Sequence, residues 1–386
     1  MKESILVIHG GAPTAVINAS LYGVIKAAKE SPNVVRLLAA KGGSEALLGG
    51  DFIDLLALDT KTVEQLPHTP GSWIGTSRYQ ISDRDYAMMV ATLVRERITA
   101  VLFTGGNGSM DSCGKLARAI ANHPEASKQG IRIVGIPKTI DNDLAVTDHA
   151  PGFGSAARYF AASVRELMED VASLPIHVSV IEGMGRNSGW LTASACLANP
   201  HMILIPEVSF DEERFLDEIQ TLYNQEGGVV VVASEGLKTA SGEPIVPPIF
   251  EVGRSLYYGD TSAHLANLII QRLGIKARSE KPGILGRCSI AYQSEVDRDE
   301  AIGAGEAAVA AVLAGASEVM VGFERISSEP YVCKTILIPI EEVMLLERPF
   351  DQAYYDPESG KIYREEYRTW LEPLTGPMED RFATRL

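Results

Sequence analysis

One pattern governs what this chain can become. Short runs of consecutive aliphatic residues are each closed by a turn, and the first are closed by paired glycines and followed by a helical stretch. Ile5-Leu-Val-Ile8 runs into Gly10-Gly11, and Ala15 to Lys29 then places Val16, Leu21, Val24 and Ile25 at helical spacing. Thr99 to Thr104 runs into Gly105-Gly106 and a helix predicted from about Met110 to Ala121. Ile131 to Ile136 ends in Pro137. Val178 to Ile181, Met202 to Ile205, Gly228 to Ala233, Glu318 to Phe323 and Thr335 to Ile340 read as further strands. Strands without polar alternation belong to sheets covered on both faces, and helices between them supply right-handed crossovers. The expected class is α/β, with doubly wound, mainly parallel sheets. At about 150 residues per domain, 386 residues leave room for two such domains. The tail after Arg348 carries Phe350, Tyr354, Tyr355, Tyr363, Tyr367 and Trp370, and so many aromatics predict a docked segment.

Composition narrows the function classes. With 46% hydrophobic and 22% charged residues the chain is an ordinary globular one, not a disordered or fibrous one. Its net charge of −15 gives no bulk attraction for a phosphate backbone, so nucleic acid is not an expected partner. Any anion must be met by cations gathered locally. Cys113, Cys196, Cys288 and Cys333 form no CxxC pair, which excludes the usual zinc and disulfide frameworks and fits a reducing compartment. No apolar stretch approaches about 18 residues and the N-terminus lacks a signal-peptide layout. The expectation is a cytoplasmic protein without a membrane partner. On that expectation the Asn107-Gly-Ser sequon has no meaning.

In open α/β sheets ligands bind beyond the carboxyl ends of strands, and four strand-end loops stand out. Gly10-Gly11 serves either a tight turn or a close approach of backbone to phosphate. Gly105-Gly-Asn-Gly-Ser109, between strand and helix, makes a better phosphate cradle. Neither GxGxxG nor GxxxxGK[ST] occurs at these turns. Pro137-Lys-Thr-Ile-Asp-Asn-Asp143 crowds a lysine and two carboxylates into one strand end, more than an Asx-turn needs. One carboxylate there can accept a hydroxyl proton and another can hold a divalent cation. In Glu182-Gly-Met-Gly-Arg-Asn-Ser-Gly-Trp190, Arg186 stands among glycines, as a bidentate phosphoryl clamp would. His9, His149 and His177 read as ordinary hydrogen-bonded histidines as readily as functional ones.

At PKTIDND and MGRNSGW the sequence resembles the phosphofructokinase family, and the resemblance runs from Gly10-Gly11 to Leu371-Glu-Pro-Leu374. Members move a phosphoryl group onto the 1-hydroxyl of fructose 6-phosphate, a step of glycolysis. The resemblance implies two doubly wound α/β domains sharing an active-site cleft. Residues 1–152 with about 286–346 would form a larger donor-binding domain. Residues 153–285 with about 347–386 would form a smaller sugar-phosphate domain. Gly11, Arg78, Tyr79, Gly106, Asn107, Gly108 and Ser109 match donor positions. Asp141 matches the base, beside Thr139, and Asp143 with Asn107 falls at the Mg²⁺ position. His177, Met184, Gly185, Arg186, Glu235, Arg278 and Arg287 match sugar-phosphate positions. The implied catalytic set is Asp141, Arg186, Lys138 and Arg78. A homodimer or homotetramer is implied, with Arg278 reaching a neighbouring subunit.

Several positions depart from the family pattern. Asn107 stands where the family usually has Asp. Gly108 is of the ATP-using type, whereas Lys138, Gly11-Ala-Pro-Thr-Ala-Val-Ile-Asn-Ala and Ser294-Glu-Val-Asp-Arg298 look like the branch that contains the pyrophosphate enzymes. His177 replaces an Arg, and Ile284 a His or Tyr. On Gly108, ATP is the expected donor and pyrophosphate the alternative. A kinase for a related sugar phosphate and a catalytically silent regulatory homologue are the remaining readings.

Overall fold

The computed structural model describes residues 2–252, 255–356, 360–362, 365–378 and 382; Tyr363 of the predicted tail lies outside them. The chain divides into two units. The first comprises Met1–Phe153, Arg287–Gln293 and Asp297–Arg348, and the second Gly154–Gly286, Ser294–Val296 and Pro349–Leu386. Strands are numbered along the chain: β1 Glu3–His9, β2 Val34–Ala40, β3 Phe52–Asp54, β4 Ala100–Gly105, β5 Arg132–Pro137, β6 Val178–Gly183, β7 Met202–Leu204, β8 Val229–Ser234, β9 Pro248–Val252, β10 Ser255–Tyr258, β11 Ala277–Glu280, β12 Val319–Ser328 and β13 Tyr331–Pro339.

In the first unit the strand order is β13-β12-β5-β4-β1-β2-β3. The middle of this sheet is parallel; β3 and β13 are antiparallel edges. β12 and β13 are joined through a tight turn at Glu329-Pro330, too short for a crossover, so they form a hairpin. The sequence explains why both faces are covered. Successive side chains of a strand point to opposite faces. In β1, Leu6 and Ile8 enter a core with Met89, Leu93, Met110 and Leu116, while Ile5 and Val7 enter another with Leu21, Val24, Ala304 and Val309. The helices Ile17–Glu30 and Glu295–Leu313 approach so closely that a Cβ on Gly23 would strike the Ile302 carbonyl, and one on Gly305 the Ser20 carbonyl. The alanine- and glycine-rich composition of the second helix permits that approach.

In the second unit the order is β11-β6-β8-β7, all parallel. Val178, Val180, Val229 and Val231 pack against Phe215 and Ile219 of helix Glu212–Glu226 and against Leu265 and Ile269 of helix Thr261–Leu273. The aromatic tail docks here. Phe350 meets Trp190 edge-on at 5.0 Å, Trp370 stacks on Tyr367 at 5.7 Å, and the Tyr367 hydroxyl donates to the Trp190 carbonyl at 3.1 Å. Residues 294–296 group with this unit because the Ser294 N–H donates to Ser155 Oγ at 3.1 Å and the Ser294 hydroxyl to the Leu374 carbonyl at 2.7 Å. One residue past that segment, Asp297 accepts the Gly152 N–H, on the first unit's side of the division.

Each sheet reverses its winding direction at one place. In the first it lies between β1 and β4, and in the second between β6 and β8. A crevice at the strand ends is expected at such a point. Gly10-Gly11 and Gly106 follow the first pair, and Met184 to Arg186 and Glu235 follow the second.

Candidate active site

At the switch point of the first unit, Gly106 caps the helix Asn107–Ala121, whose first turn presents the Asn107 and Gly108 N–H groups and the positive end of the helix dipole, while the Ser109 N–H turns back to the Gly106 carbonyl. Ser109 is buried within that turn. Gly108 is exposed, and a Cβ placed on it would meet nothing within 4 Å. Gly11 takes the left-handed conformation (φ 75°), and a Cβ there would lie 3.5 Å from Lys138 Nζ. A bare backbone at both turns leaves room for an anion.

Lys138 follows β5 and is only 4% exposed. Its ammonium donates to the Ala12 carbonyl at 2.5 Å. Burial pushes its pKa down to about 8, and the charges of Arg287 and Arg78 push the same way against the attraction of Asp141 and Asp143. Three cations therefore share one region of this unit. Arg287 keeps a buried Nε–H without a hydrogen-bond partner among the described residues, and Arg78 and Tyr79 are exposed on the loop after Ser77. The Tyr79 hydroxyl donates to Asp85 at 3.2 Å.

The PKTIDND loop folds back on itself. Thr139 Oγ1 accepts the Asp141 N–H at 3.1 Å and donates to Asp143 Oδ1 at 3.1 Å. Asn142 adopts φ 53° and accepts the Ala150 N–H with its side-chain oxygen. Asn107 Nδ2 donates to Asp143 Oδ2 at 2.8 Å. Burial raises the Asp143 carboxyl above its ordinary range, helped by the Glu347 charge. Asn107 Oδ1 is buried and has no partner among the described residues. A carboxylate beside an unsatisfied amide oxygen is a donor set that fits a hard divalent cation.

In the second unit, Gly185 (φ 121°) lets the Met184–Asn187 turn pass close to the Ser188 carbonyl. Glu235 Oε1 accepts the Gly185 N–H at 3.2 Å and lies 4.0 Å from Arg186 Nε. Burial raises the Glu235 carboxyl, and the Gly185 N–H and Arg186 oppose it. Ser234 Oγ donates to the Gly185 carbonyl at 2.6 Å. Met184, Gly185, Arg186 and Glu235 thus form one group. His177 does not join them. It precedes β6, at the opposite end from Gly183, which about 3.3 Å per residue makes a separation on the order of 17–20 Å. His177 is buried there and neighbours β11, where Arg278 pairs with Ser179. Within one chain, then, His177 and Arg186 stand at opposite ends of β6.

Sequence reasoning missed Arg348. Its guanidinium donates to three carbonyls behind Asp141, those of Asn142 (3.0 Å), Thr147 (2.7 Å) and Asp148 (2.8 Å), and its N–H reaches the Asp143 carbonyl at 2.8 Å. Nothing in the local sequence distinguishes this arginine from a surface one. Glu207 was missed as well. It accepts the N–H groups of Gly189 (2.9 Å) and Phe350 (2.7 Å), tying the arginine loop to the tail.

Doubly wound units whose switch points carry a helix N-terminus, a buried lysine and strand-end carboxylates define an enzyme that handles phosphoryl groups. The Phosphofructokinase family model matches residues 4–324, and the chain belongs to that family, whose members are phosphotransferases with an alcohol acceptor. It is 34% identical over 387 residues to the pyrophosphate–fructose 6-phosphate 1-phosphotransferase of Xanthomonas campestris, covering 96% of this chain and 91% of that one. It is 30% identical over 374 residues to a sulfofructose kinase of Alkalicoccus urumqiensis, covering 95% and 94%. A crystal structure of a pyrophosphate-dependent phosphofructokinase from Nitrosospira multiformis matches with a TM-score of 0.88 at 31% identity, over 99% of this chain and 95% of that one. Among the described residues no helix is long and apolar enough to cross a membrane.

Proposed function

We propose that this enzyme transfers a phosphoryl group from pyrophosphate to the 1-hydroxyl of fructose 6-phosphate. The observation that carries the donor is the match, over nearly the whole chain, to the Xanthomonas and Nitrosospira proteins, which are named for pyrophosphate. This reverses the order read from Gly108, which put ATP first. Lys138 supports the revised reading. A buried ammonium with Arg78 nearby supplies concentrated charge for a small, highly charged donor.

The chemistry follows from the side chains. Asp141 accepts the proton of the 1-hydroxyl as its oxygen attacks. The new O–P bond forms while the bond to the leaving phosphate breaks. Lys138, Arg78 and Arg186 spread the charge on the phosphoryl group, and phosphoryl transfer depends chiefly on such positioning and electrostatics. The backbone at Gly106 to Gly108, through the Asn107 and Gly108 N–H groups, and the Ser109 hydroxyl hold the donor. Glu235 and Met184 orient the sugar, and Arg287 grips its phosphate. Mg²⁺ would be held by Asp143 and Asn107 and would offset the donor's negative charge. We assign Arg278 and His177 to a sugar-phosphate site of a neighbouring subunit.

ATP remains the second reading, favoured by the open space at Gly108. Steady-state turnover of pyrophosphate, ATP and ADP against fructose 6-phosphate and sulfofructose tests the proposal. Greatest kcat/KM with pyrophosphate and fructose 6-phosphate is expected. Turnover with ATP and none with pyrophosphate would overturn the donor assignment.

A further inference from the structure

The segment 69–79 ends in Arg78 and Tyr79, yet between the short helical turn Leu66–His68 and the helix that begins at Asp83 it has no regular structure of its own. Its shape is imposed from outside. Asn18, 1% exposed on the helix Ile17–Glu30, donates both amide hydrogens, to the Thr69 and Gly71 carbonyls at 2.8 Å. Its side-chain oxygen accepts the Trp73 N–H at 2.8 Å. Thr76 Oγ1 donates to the Gly11 carbonyl at 2.7 Å, and the Gly11 N–H returns to the Ser77 carbonyl at 3.0 Å.

His9, at the end of β1 and 0% exposed, completes the set. Its Nδ1 lies 2.8 Å from Ser72 Oγ, and Ser72 Oγ spends its hydrogen on the Gly75 carbonyl at 2.8 Å. Ser72 must therefore accept from the ring, which fixes the proton on Nδ1. Nε2 is left bare and has no partner among the described residues. Burial, with the Lys138 charge, pushes the ring's pKa down to about 3, so the donor tautomer holds at any working pH.

We infer that His9, acting through Ser72, is a positioning residue that fixes the loop bearing Arg78 at the donor end of the first unit. The inference rests on the proposed role of Arg78 toward the donor. It is tested with His9→Leu, His9→Asn, Ser72→Ala and Arg78→Ala in the full-length enzyme, by separate KM measurements for pyrophosphate and fructose 6-phosphate and by hydrogen exchange of the loop amides. His9→Leu and Ser72→Ala should each raise donor KM about three- to tenfold, the equivalent of one neutral hydrogen bond, with acceptor KM within about twofold. Exchange of the Gly75 to Arg78 amides should quicken. His9→Asn, whose amide can offer a hydrogen where Nδ1 does, should restore most of the donor KM. Adding His9→Leu to Arg78→Ala should raise donor KM little further, because the two act in series. If His9→Leu fails to fold, Ser72→Ala carries the test. Unchanged donor KM and exchange in Ser72→Ala, or equal rises in both KM values, would overturn the inference. A raised donor KM in Ser72→Ala beside an unchanged one in Arg78→Ala would keep the clasp and remove Arg78 from the donor site.

Discussion

Replacing Lys138 by Met should make the protein more stable and less active. The ammonium is 4% exposed, and its pKa stands at about 8 against an ordinary 10.5. At about 1.4 kcal/mol per unit, holding that charge costs roughly 3 kcal/mol of folding free energy at neutral pH. Met fills similar volume without charge. Losing the bond to the Ala12 carbonyl returns about 1 kcal/mol, so a net gain near 2 kcal/mol at pH 7 is expected. The gain has a defined pH window. Below about pH 8 the lysine is charged in both the folded and the unfolded chain, and the wild type bears the full cost. Between about 8 and 10.5 the folded lysine is neutral while the unfolded one is still charged, so wild-type stability recovers and the gap to the variant closes. Activity moves the other way. A unit charge about 5 Å from a phosphoryl oxygen, at an effective dielectric constant near 20, contributes about 3 kcal/mol, so kcat/KM should fall roughly 10²-fold. Wild-type kcat/KM should also decline above about pH 8, and that limb should vanish in the variant. Urea unfolding from pH 7 to 10.5, with pH–rate profiles, checks both. A variant that is less stable at every pH, or a gap that stays constant across the window, would refute the reasoning.

Asp141→Asn should lower kcat about 10²–10⁴-fold, as loss of a general base does, while fructose 6-phosphate still binds in calorimetry; a variant with more than half of wild-type kcat removes Asp141 from that role. Gly108→Asp meets no steric obstacle, so turnover with pyrophosphate should persist within severalfold while any turnover with ATP falls about 10²-fold, from a carboxylate set against a nucleotide phosphate; equal losses with both donors would show that Gly108 does not discriminate. Arg348→Met leaves three carbonyls behind Asp141 without their donor. Unfolding free energy should drop about 2–4 kcal/mol and kcat should fall more than either KM; unchanged urea unfolding would mean that water replaces the guanidinium at little cost.

Legibility in the sequence followed the local or long-range origin of each feature. β1, β4, β5, β6 and β8 were plain because each is a short, mostly apolar run closed by a turn signal, as buried parallel strands are. β2 and β11 were not read. Arg36 interrupts the apolar run of the first, and Ala277-Arg-Ser-Glu280 is a polar edge held by its pairing with β6. The turns at Gly106, Lys138 to Asp143 and Met184 to Arg186 carried their chemistry in adjacent residues, so spacing alone exposed them. Arg348 and Glu207 act on residues 200 and 18 positions away, measured to Asp148 and Gly189. His177, placed among the sugar-phosphate positions by the resemblance alone, lies at the far end of the strand that leads to Arg186. The Asn107–Asp143 pairing was anticipated as a metal position, but the bare amide oxygen that makes it fit a cation appears only in three dimensions.

The strand order of the first sheet also sets a schedule for synthesis. β5 is complete at Pro137, yet its outer neighbour β12 does not begin until Val319, 319 − 137 = 182 residues later. At about 5–20 residues per second the ribosome takes roughly 10–40 s to deliver it. For that interval the outer edge of β5 offers its Val319 and Met320 partner positions, Val134 and Gly135, to any strand within reach. Within the nascent chain, β6 and β8 are aliphatic strands made in the meantime, and each must find its own sheet first. A ribosome stalled between the last residue of β8 and the start of β12 would therefore hold a sheet with an open edge, and such chains should be the ones that chaperones retain.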